Sequence, residues 1–176
     1  MWAAPGWRAI SPFATSSPTT LLCQNKAAGK AVANASAASV WRQLGVMGGE
    51  RGYFYLDILW QLRGTLDWLI AGPGLCRRRP HPTELHLGDK VDFWTVIAIE
   101  PERRLTLSFD MKTPGAGILE FELEEIDGKT RLTATAYWHP AGVWGLLYWY
   151  SLVPLHVILF EGMTKTIARQ AELSET

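Results

Sequence analysis

Apolar and polar residues alternate along four stretches between Val91 and Trp138, which is the period of β-strands with one buried face. Short turns separate the stretches, the last of them at Asp127-Gly128, a pair typical of hairpins. Because parallel neighbours need long crossovers, this order predicts an antiparallel meander. One side carries Val91, Phe93, Thr95, Ile97, Ile99, Leu105, Leu107, Phe109, Met111, Leu119, Phe121, Leu123, Leu132, Ala134, Ala136 and Trp138.

The other side of the predicted meander carries more polar residues. In the first stretch it carries Asp92, Trp94, Val96 and Ala98, and in the third it carries a row of glutamates at 120, 122 and 124. We interpret the glutamate row as a solvated exterior rather than a metal site.

Two helices are predicted before the strands. Ser36 or Ser39 can cap a short helix that ends at Gly48-Gly49. A second helix, from about Tyr55 to Ile70, follows from apolar residues at three- and four-residue steps and ends before Gly72-Pro73-Gly74.

A long apolar helix is predicted after the strands. From Val143 to Phe160 it is apolar almost all round and reaches the lower length limit of a membrane span. Pro154 and His156 lie inside this run and Glu161 follows it, which argues against spanning. A helix docked on a sheet needs only one apolar stripe. We therefore expect two burial partners: the sheet, and a further domain, a second subunit or a lipid interface.

Composition excludes several classes of protein. The chain has 176 residues, with 17 basic and 17 acidic side chains and nine Trp. Because its net charge is zero, the chain lacks the excess of basic residues that nucleic-acid-binding domains carry. Its aromatic content is too high for a mostly disordered chain. Cys23 and Cys76 form neither a disulfide framework nor a zinc-finger spacing, so a cytoplasmic location is the default expectation.

The start of the chain differs in composition from the rest. No acidic residue precedes Glu50, and the first residues are rich in Ala, Ser, Thr and Pro without apolar periodicity. Such a stretch is typical of a disordered tail, and also of an organellar transit peptide. We expect a tail over residues 1–30 and one domain over residues 31–173.

Four segments carry a family resemblance. They are GGERGYFYLDILWQLRGTLDWLIAGPGL (Gly48–Leu75), HPTELHLGDKVDFWTV (His81–Val96), DMKTPG (Asp110–Gly115) and YWYSLVPLH (Tyr148–His156). In this order they resemble domain-of-unknown-function family 2867, over about Ala31 to Ala171.

The resemblance implies an α+β fold of the helix-grip (START-like, SRPBCC) type. In this fold an antiparallel meander wraps around a long C-terminal helix, and short helices follow the first strand. It also implies a cavity between helix and sheet that holds a hydrophobic or amphipathic small molecule. In longer relatives the domain follows a short-chain-dehydrogenase-like NAD(P)-binding domain. No catalytic residue and no cofactor carry over to this chain.

Nine residues form the candidate pocket. Aromatic and Met side chains would supply apolar surface, and charged or imidazole side chains would orient the ligand. The alternatives are structural: Arg63 and Asp67 are i,i+4 ion-pair partners, and His139 can open the turn into the last helix. The candidates are Trp60, Arg63, Asp67, His81, Glu84, Trp94, Met111, Tyr137 and His139.

Three functions remain open from the sequence. The first is a ligand-binding module. The second is an interaction module that docks a nucleotide-binding domain, a second copy or a membrane surface through the helix from Val143. The third is a small cyclase or hydrolase with His81, His139 or Asp92 as general base.

Metal and anion chemistry have little support in the sequence. No His-x-x-x-His or Cys-x-x-Cys spacing indicates a zinc site. The basic run Arg77-Arg78-Arg79 with His81 could clamp an anion or simply lie solvated.

Overall fold

A long helix packed on a curved antiparallel sheet makes up most of the fold. The computed structural model describes residues 25–48, 55, 61, 62, 65, 68, 69, 81, 83–111 and 113–175. The strands are β1 (Asn25–Ala33), β2 (Lys90–Val91), β3 (Trp94–Glu100), β4 (Arg104–Phe109), β5 (Gly115–Ile126) and β6 (Lys129–Pro140), and the helices described along their length are α1 (Ala37–Gly45) and α2 (Gly142–Glu175).

The sheet has the order β1-β6-β5-β4-β3-β2, and every pairing is antiparallel. Strands β2 to β6 therefore form the predicted meander, and β1 adds to its far edge beside β6. Helix α2 contacts both β1 and β6 on one face of the sheet. We call this face the inner face and the opposite one the outer face. An antiparallel meander packed against a long C-terminal helix confirms the predicted helix-grip fold.

Strand β1 begins at Asn25, inside the stretch expected to be a tail. Residues 25–30 therefore belong to the sheet, while residues 1–24 lie outside the described residues. The strand sequence NKAAGKAVA has little β-propensity, since Val32 is its only β-branched residue. Its pairing with β6 over nine residues, from Asn25 to Ala33, supplies the hydrogen bonds that the local sequence does not favour.

The first helix begins as expected, because the Ser36 side chain accepts a hydrogen bond from the Ser39 N–H and caps α1. It ends at Gly45, before the predicted end at Gly48-Gly49, and Val46 is its C-cap. Of the second predicted helix, Gln61, Leu62, Thr65, Trp68 and Leu69 are helical. The rest of that helix and the basic run at 77–79 lie outside the described residues.

The expected single strand from Val91 to Ile99 is instead a turn followed by a bulged strand. Asp92 has a positive φ of 56°, so β2 folds back on β3 and pairs Val91 with Trp94. The register then shifts between Val96 and Ala98. The turn shifts the phase of the alternation, so Trp94 and Val96, expected on the more polar side, are buried in the core. The bulge shifts the phase back, so Ile97 packs with the outer cluster while Ile99 packs against the core as expected.

Glu120 corrects the expectation of a solvated glutamate row. Its residue is only 6% exposed, whereas Glu122 and Glu124 are exposed. Glu120 pairs with Thr106 and Thr135 across the outer face, and the Thr106 hydroxyl donates to its carboxylate at 3.3 Å. Burial raises the pKa of Glu120, and the neighbouring Glu122 carboxylate raises it further.

The C-terminal half of α2 lies directly on the backbone of β1 at Gly29. A Cβ at this position would overlap the backbone of Phe160 and Glu161. The strand positions around it are small as well: Ala27, Ala31 and Ala33 share the inner face of β1. Small side chains let the C-terminal half of the helix lie directly on the strand. There α2 buries Leu159, Phe160, Met163, Thr164, Ile167, Ala168 and Ala171.

The C-terminal end of α2 is held by hydrogen bonds to the corner between β1 and α1. The Asn34 N–H donates to Glu172 at 2.7 Å, and the Ser36 N–H donates to Glu175 at 2.9 Å. The helix is thus fixed both along its length and at its end.

We predict that Gly29→Ala lowers the free energy of unfolding by about 1–3 kcal/mol, because the added carbon must push α2 off β1. Chemical denaturation measures the change. Val32→Ile is the matched control, since it adds one carbon to an exposed position of the same strand. Equal stability of the two variants and the wild type would contradict a close helix–strand contact.

Candidate functional site

A cavity of about 230 Å³ lies between the N-terminal half of α2 and the inner face of the sheet. Its walls are almost entirely apolar. The described residues that line it are Leu62, Trp94, Phe109, Gly117, Ile118, Ala136, Tyr137, Trp138, Tyr148, Trp149, Leu152, Leu155, His156, Leu159 and Phe160.

The sheet contributes aromatic rings to the cavity at the ends of its central strands. Trp94 and Phe109 face each other across β3 and β4, with ring centroids 5.0 Å apart. Gly117 of β5 pairs with Trp138 of β6. A Cβ at Gly117 would come within 3.3 Å of the Trp138 ring. The missing side chain therefore gives this ring room to lie across the neighbouring strand.

The helix contributes a second set of rings. Trp149 stacks on Trp138 with centroids 6.0 Å apart and an interplanar angle of 6°. The Trp138 indole N–H donates to the Gly145 carbonyl at 3.2 Å, which fixes the ring against the first turn of α2. Small residues bring the helix onto β1 at Gly29 and onto Pro114 and Pro140 at Gly145. Between these contacts the stacked rings hold the helix away from the strands. The cavity occupies the space that results.

His156 is the most polar side chain in the lining. Its ring lies between those of Trp149 and Phe160, at centroid distances of 5.2 and 5.6 Å. The buried Nδ1 has no hydrogen-bond partner among the described residues. Burial lowers the pKa of His156 from 6.5 to about 4, because the apolar walls disfavour the charged imidazolium. The ring is therefore neutral at physiological pH.

A neutral imidazole can donate at one ring nitrogen and accept at the other. An unpartnered polar atom in an apolar cavity is costly unless something completes its hydrogen bond. His156 is thus a neutral imidazole in the lining, and its ring is the group through which an otherwise apolar wall can form a hydrogen bond.

The structure distributes the nine candidate residues over several places. Trp94 lines the cavity. Tyr137 borders it, but its ring packs with Ile118 on the outer face. Met111 is buried in the core and does not line the cavity. His139 lies two residues beyond Tyr137 on β6 and is also not a lining residue.

The remaining candidates lie elsewhere or are not described. His81 and Glu84 are exposed in the loop before β2. Trp60, Arg63 and Asp67 lie outside the described residues.

Trp149 and His156 were not among the nine pocket residues predicted from the sequence. Both lie on one stripe of the last helix, seven residues apart, and the stripe continues through Phe160, Met163 and Ile167. This three- and four-residue spacing was the available signal. It was obscured because the first half of the helix is apolar on every side.

Comparison with known proteins supports the family resemblance. The sequence model of a family described as "protein of unknown function (DUF2867)" matches residues 25–163. Its first residue is also the first residue of β1. No curated protein matches the chain.

Solved structures support the fold. DynU16, of the dynemicin biosynthetic locus, is 17% identical with a TM-score of 0.53, over 85% of this chain and 48% of its own. The chain thus spans about half of the length of DynU16. TTHA0849 from Thermus thermophilus is 11% identical with a TM-score of 0.51, over 86% of this chain and 99% of its own. At such identities the similarity shows the fold alone.

We predict an acid-dependent loss of stability that depends on His156. The unfolded ring binds a proton below about pH 6.5, and the folded ring does so only below about pH 4. Folding is therefore progressively destabilised as the pH falls between these values, by up to about 3 kcal/mol. Urea denaturation at pH 7 and at pH 4 should show a smaller loss for His156→Leu than for the wild type. Parallel losses in both proteins would contradict a buried neutral imidazole.

Proposed function

The chain belongs to the DUF2867 family of proteins of unknown function, and we propose that it binds a small, largely apolar molecule with a flat ring system. The observation that carries this proposal is the aromatic-lined cavity between α2 and the sheet. The helix-grip fold is consistent with small-molecule binding, since it places a helix over a curved sheet.

The shape of the walls favours a flat ligand. Trp94, Phe109, Trp138 and Trp149 all line the same space. Aromatic rings prefer offset-stacked or edge-to-face partners, and such pairs add about 0.5–1.5 kcal/mol beyond the burial of their area. A ligand ring placed among them would gain several of these contacts at once.

The size of the cavity limits the ligand. Pockets for drug-sized molecules run from about 300 to 1,000 Å³. A volume of about 230 Å³ lies just below this range. It suits one ring or two fused rings rather than a long lipid chain or a polycyclic molecule.

The polar chemistry of the cavity favours an amphipathic ligand. His156 supplies a neutral ring nitrogen in otherwise apolar surroundings. A hydroxyl or carbonyl group on the ligand would complete its hydrogen bond, and the rest of the ligand would displace water from the apolar walls. Ligands of the phenol or naphthol class combine these features.

Binding is better supported than catalysis. A general base works best when its pKa lies near the working pH, and the pKa of His156 is about 4. The bases considered in the sequence analysis, His81, His139 and Asp92, do not line the cavity. The cyclase or hydrolase hypothesis therefore has no suitable base among the described lining residues.

We predict that 1-naphthol binds the wild-type protein with a Kd on the order of 10–100 μM, as expected for a ligand of this size. Isothermal titration calorimetry measures the affinity. Ala136→Phe places a ring in the cavity and should weaken binding by about tenfold or more. Thr133→Phe, on the outer face of the same strand, is the matched control and should bind like the wild type.

Native mass spectrometry of the purified protein complements this titration by detecting any small molecule that co-purifies. Failure of the wild type to bind 1-naphthol, together with the absence of any co-purified molecule, would contradict the proposal. So would an unchanged affinity in Ala136→Phe.

A second candidate function, an interaction module, rests on the opposite side of α2. Val143 and Trp144 are 72% and 78% exposed, and Leu147, Tyr150 and Ile158 are exposed further along the same helix. We call these five residues the apolar face of α2. By length and hydropathy α2 also meets the criteria of a membrane-spanning helix, while its C-terminal half is buried on the sheet. Contiguous apolar surface of this kind is typical of protein or membrane contacts.

We predict that the protein self-associates through the apolar face of α2. In analytical ultracentrifugation the average mass of the wild type should rise with concentration towards that of a dimer. The double variant Trp144→Glu/Leu147→Glu should remain monomeric. Leu173→Glu changes an exposed leucine near the far end of the same helix and should associate like the wild type. A wild type that is monomeric at all concentrations would contradict self-association.

A further inference from the structure

The loop before β2 brings three potential metal ligands together at the surface. One ligand atom from each of His81, His86 and Asp89 lies within 4.8 Å of the others. We propose that this cluster binds a transition-metal ion of the Zn²⁺ class. The site is separate from the cavity, since none of the three residues lines it.

The distances within the cluster are close to those of a metal site. His86 Nδ1 lies 3.6 Å from Asp89 Oδ2, and the rings of His81 and His86 meet edge to face with centroids 4.8 Å apart. Zinc–ligand bonds of about 2.0–2.1 Å place tetrahedral ligand atoms a little over 3 Å from one another. Because both histidines are exposed, small rotations of their side chains can close the remaining gap.

The backbone positions two of the ligands. The His86 N–H donates to Asp89 Oδ2 at 2.8 Å, and the Asp89 N–H donates to the His86 carbonyl at 3.0 Å. Val96 of β3 then donates to the Asp89 carbonyl at 2.9 Å and accepts from the Gly88 N–H at 2.8 Å. The turn that carries His86 and Asp89 is therefore fixed to the sheet before any metal arrives.

The set of donors selects the kind of metal. Two imidazoles and one carboxylate suit Zn²⁺, Co²⁺, Ni²⁺ or Cu²⁺, whereas Mg²⁺ and Ca²⁺ prefer oxygen ligands throughout. The spacing His-x4-His-x2-Asp matches neither a helical zinc motif nor a zinc finger. It is a loop arrangement, which explains why motif spacing gave no indication of it.

Three protein ligands leave a coordination position open. The Glu84 carboxylate lies 3.8 Å from His86 Nε2, the nitrogen on the other side of the ring from Asp89, so it would orient the imidazole by a hydrogen bond rather than bind the metal. Glu84 and His86 also line a cleft of about 440 Å³ beside α1. Because both histidines of the cluster are exposed, water can occupy the open position.

Titration of the full chain with Co²⁺, after treatment with EDTA and its removal, tests the proposal. Co²⁺ in a site of this kind gives visible absorbance, and one equivalent should saturate it. His81→Ala, His86→Ala and Asp89→Asn should each weaken binding by about tenfold or more, and the double variant His81→Ala/His86→Ala should abolish it.

His139→Ala is the control, since it removes a histidine outside the cluster and should bind Co²⁺ like the wild type. Circular dichroism confirms that each variant is folded, and Asp89→Asn and the single histidine variants keep the test valid if the double variant does not fold. Absence of Co²⁺ binding by the wild type would overturn the proposal. Binding by the folded double variant with wild-type affinity would overturn it as well.

Discussion

The contact between the backbone of α2 and Gly29 of β1 is the constraint on which the rest of the structure depends. A β-strand with no side chain at this point lets the helix lie on the sheet at its C-terminal end. Glu172 and Glu175 then hold that end against the β1–α1 corner. Because α2 is continuous over 34 residues, its position at one end determines where its other end lies over the sheet.

Near the other end, Gly145 lies close to Pro114 and Pro140, and large aromatic side chains follow it along the helix. The stacked pair of Trp138 and Trp149 separates α2 from the strands, and the space beside it is the cavity. His156 lies between the half of α2 that packs on β1 and the half that borders the cavity. Its ring stacks on that of Phe160 and contacts that of Trp149. One helix therefore combines a tightly packed half that stabilises the fold with a more distant half that leaves room for a ligand.

The parts of the fold that depend on local pattern were predictable from the sequence. The meander, the cap at Ser36 and the long last helix all follow from periodicity and turn residues. The parts that depend on tertiary contacts were not. Strand β1 has a sequence suited to packing under a helix rather than to forming a strand, and the phase of β3 depends on the turn at Asp92. The burial of Glu120 depends on its neighbours on β4 and β6.

The same distinction applies to the cavity, since the sequence indicated Trp94 as a lining residue but not His156. The most direct test of the account is a crystal structure of the protein under xenon pressure, since xenon enters apolar cavities without requiring a specific ligand. The account predicts a xenon atom between α2 and the sheet, within contact of Trp94 and Trp138. Side chains that close this space completely and leave no xenon there would contradict it.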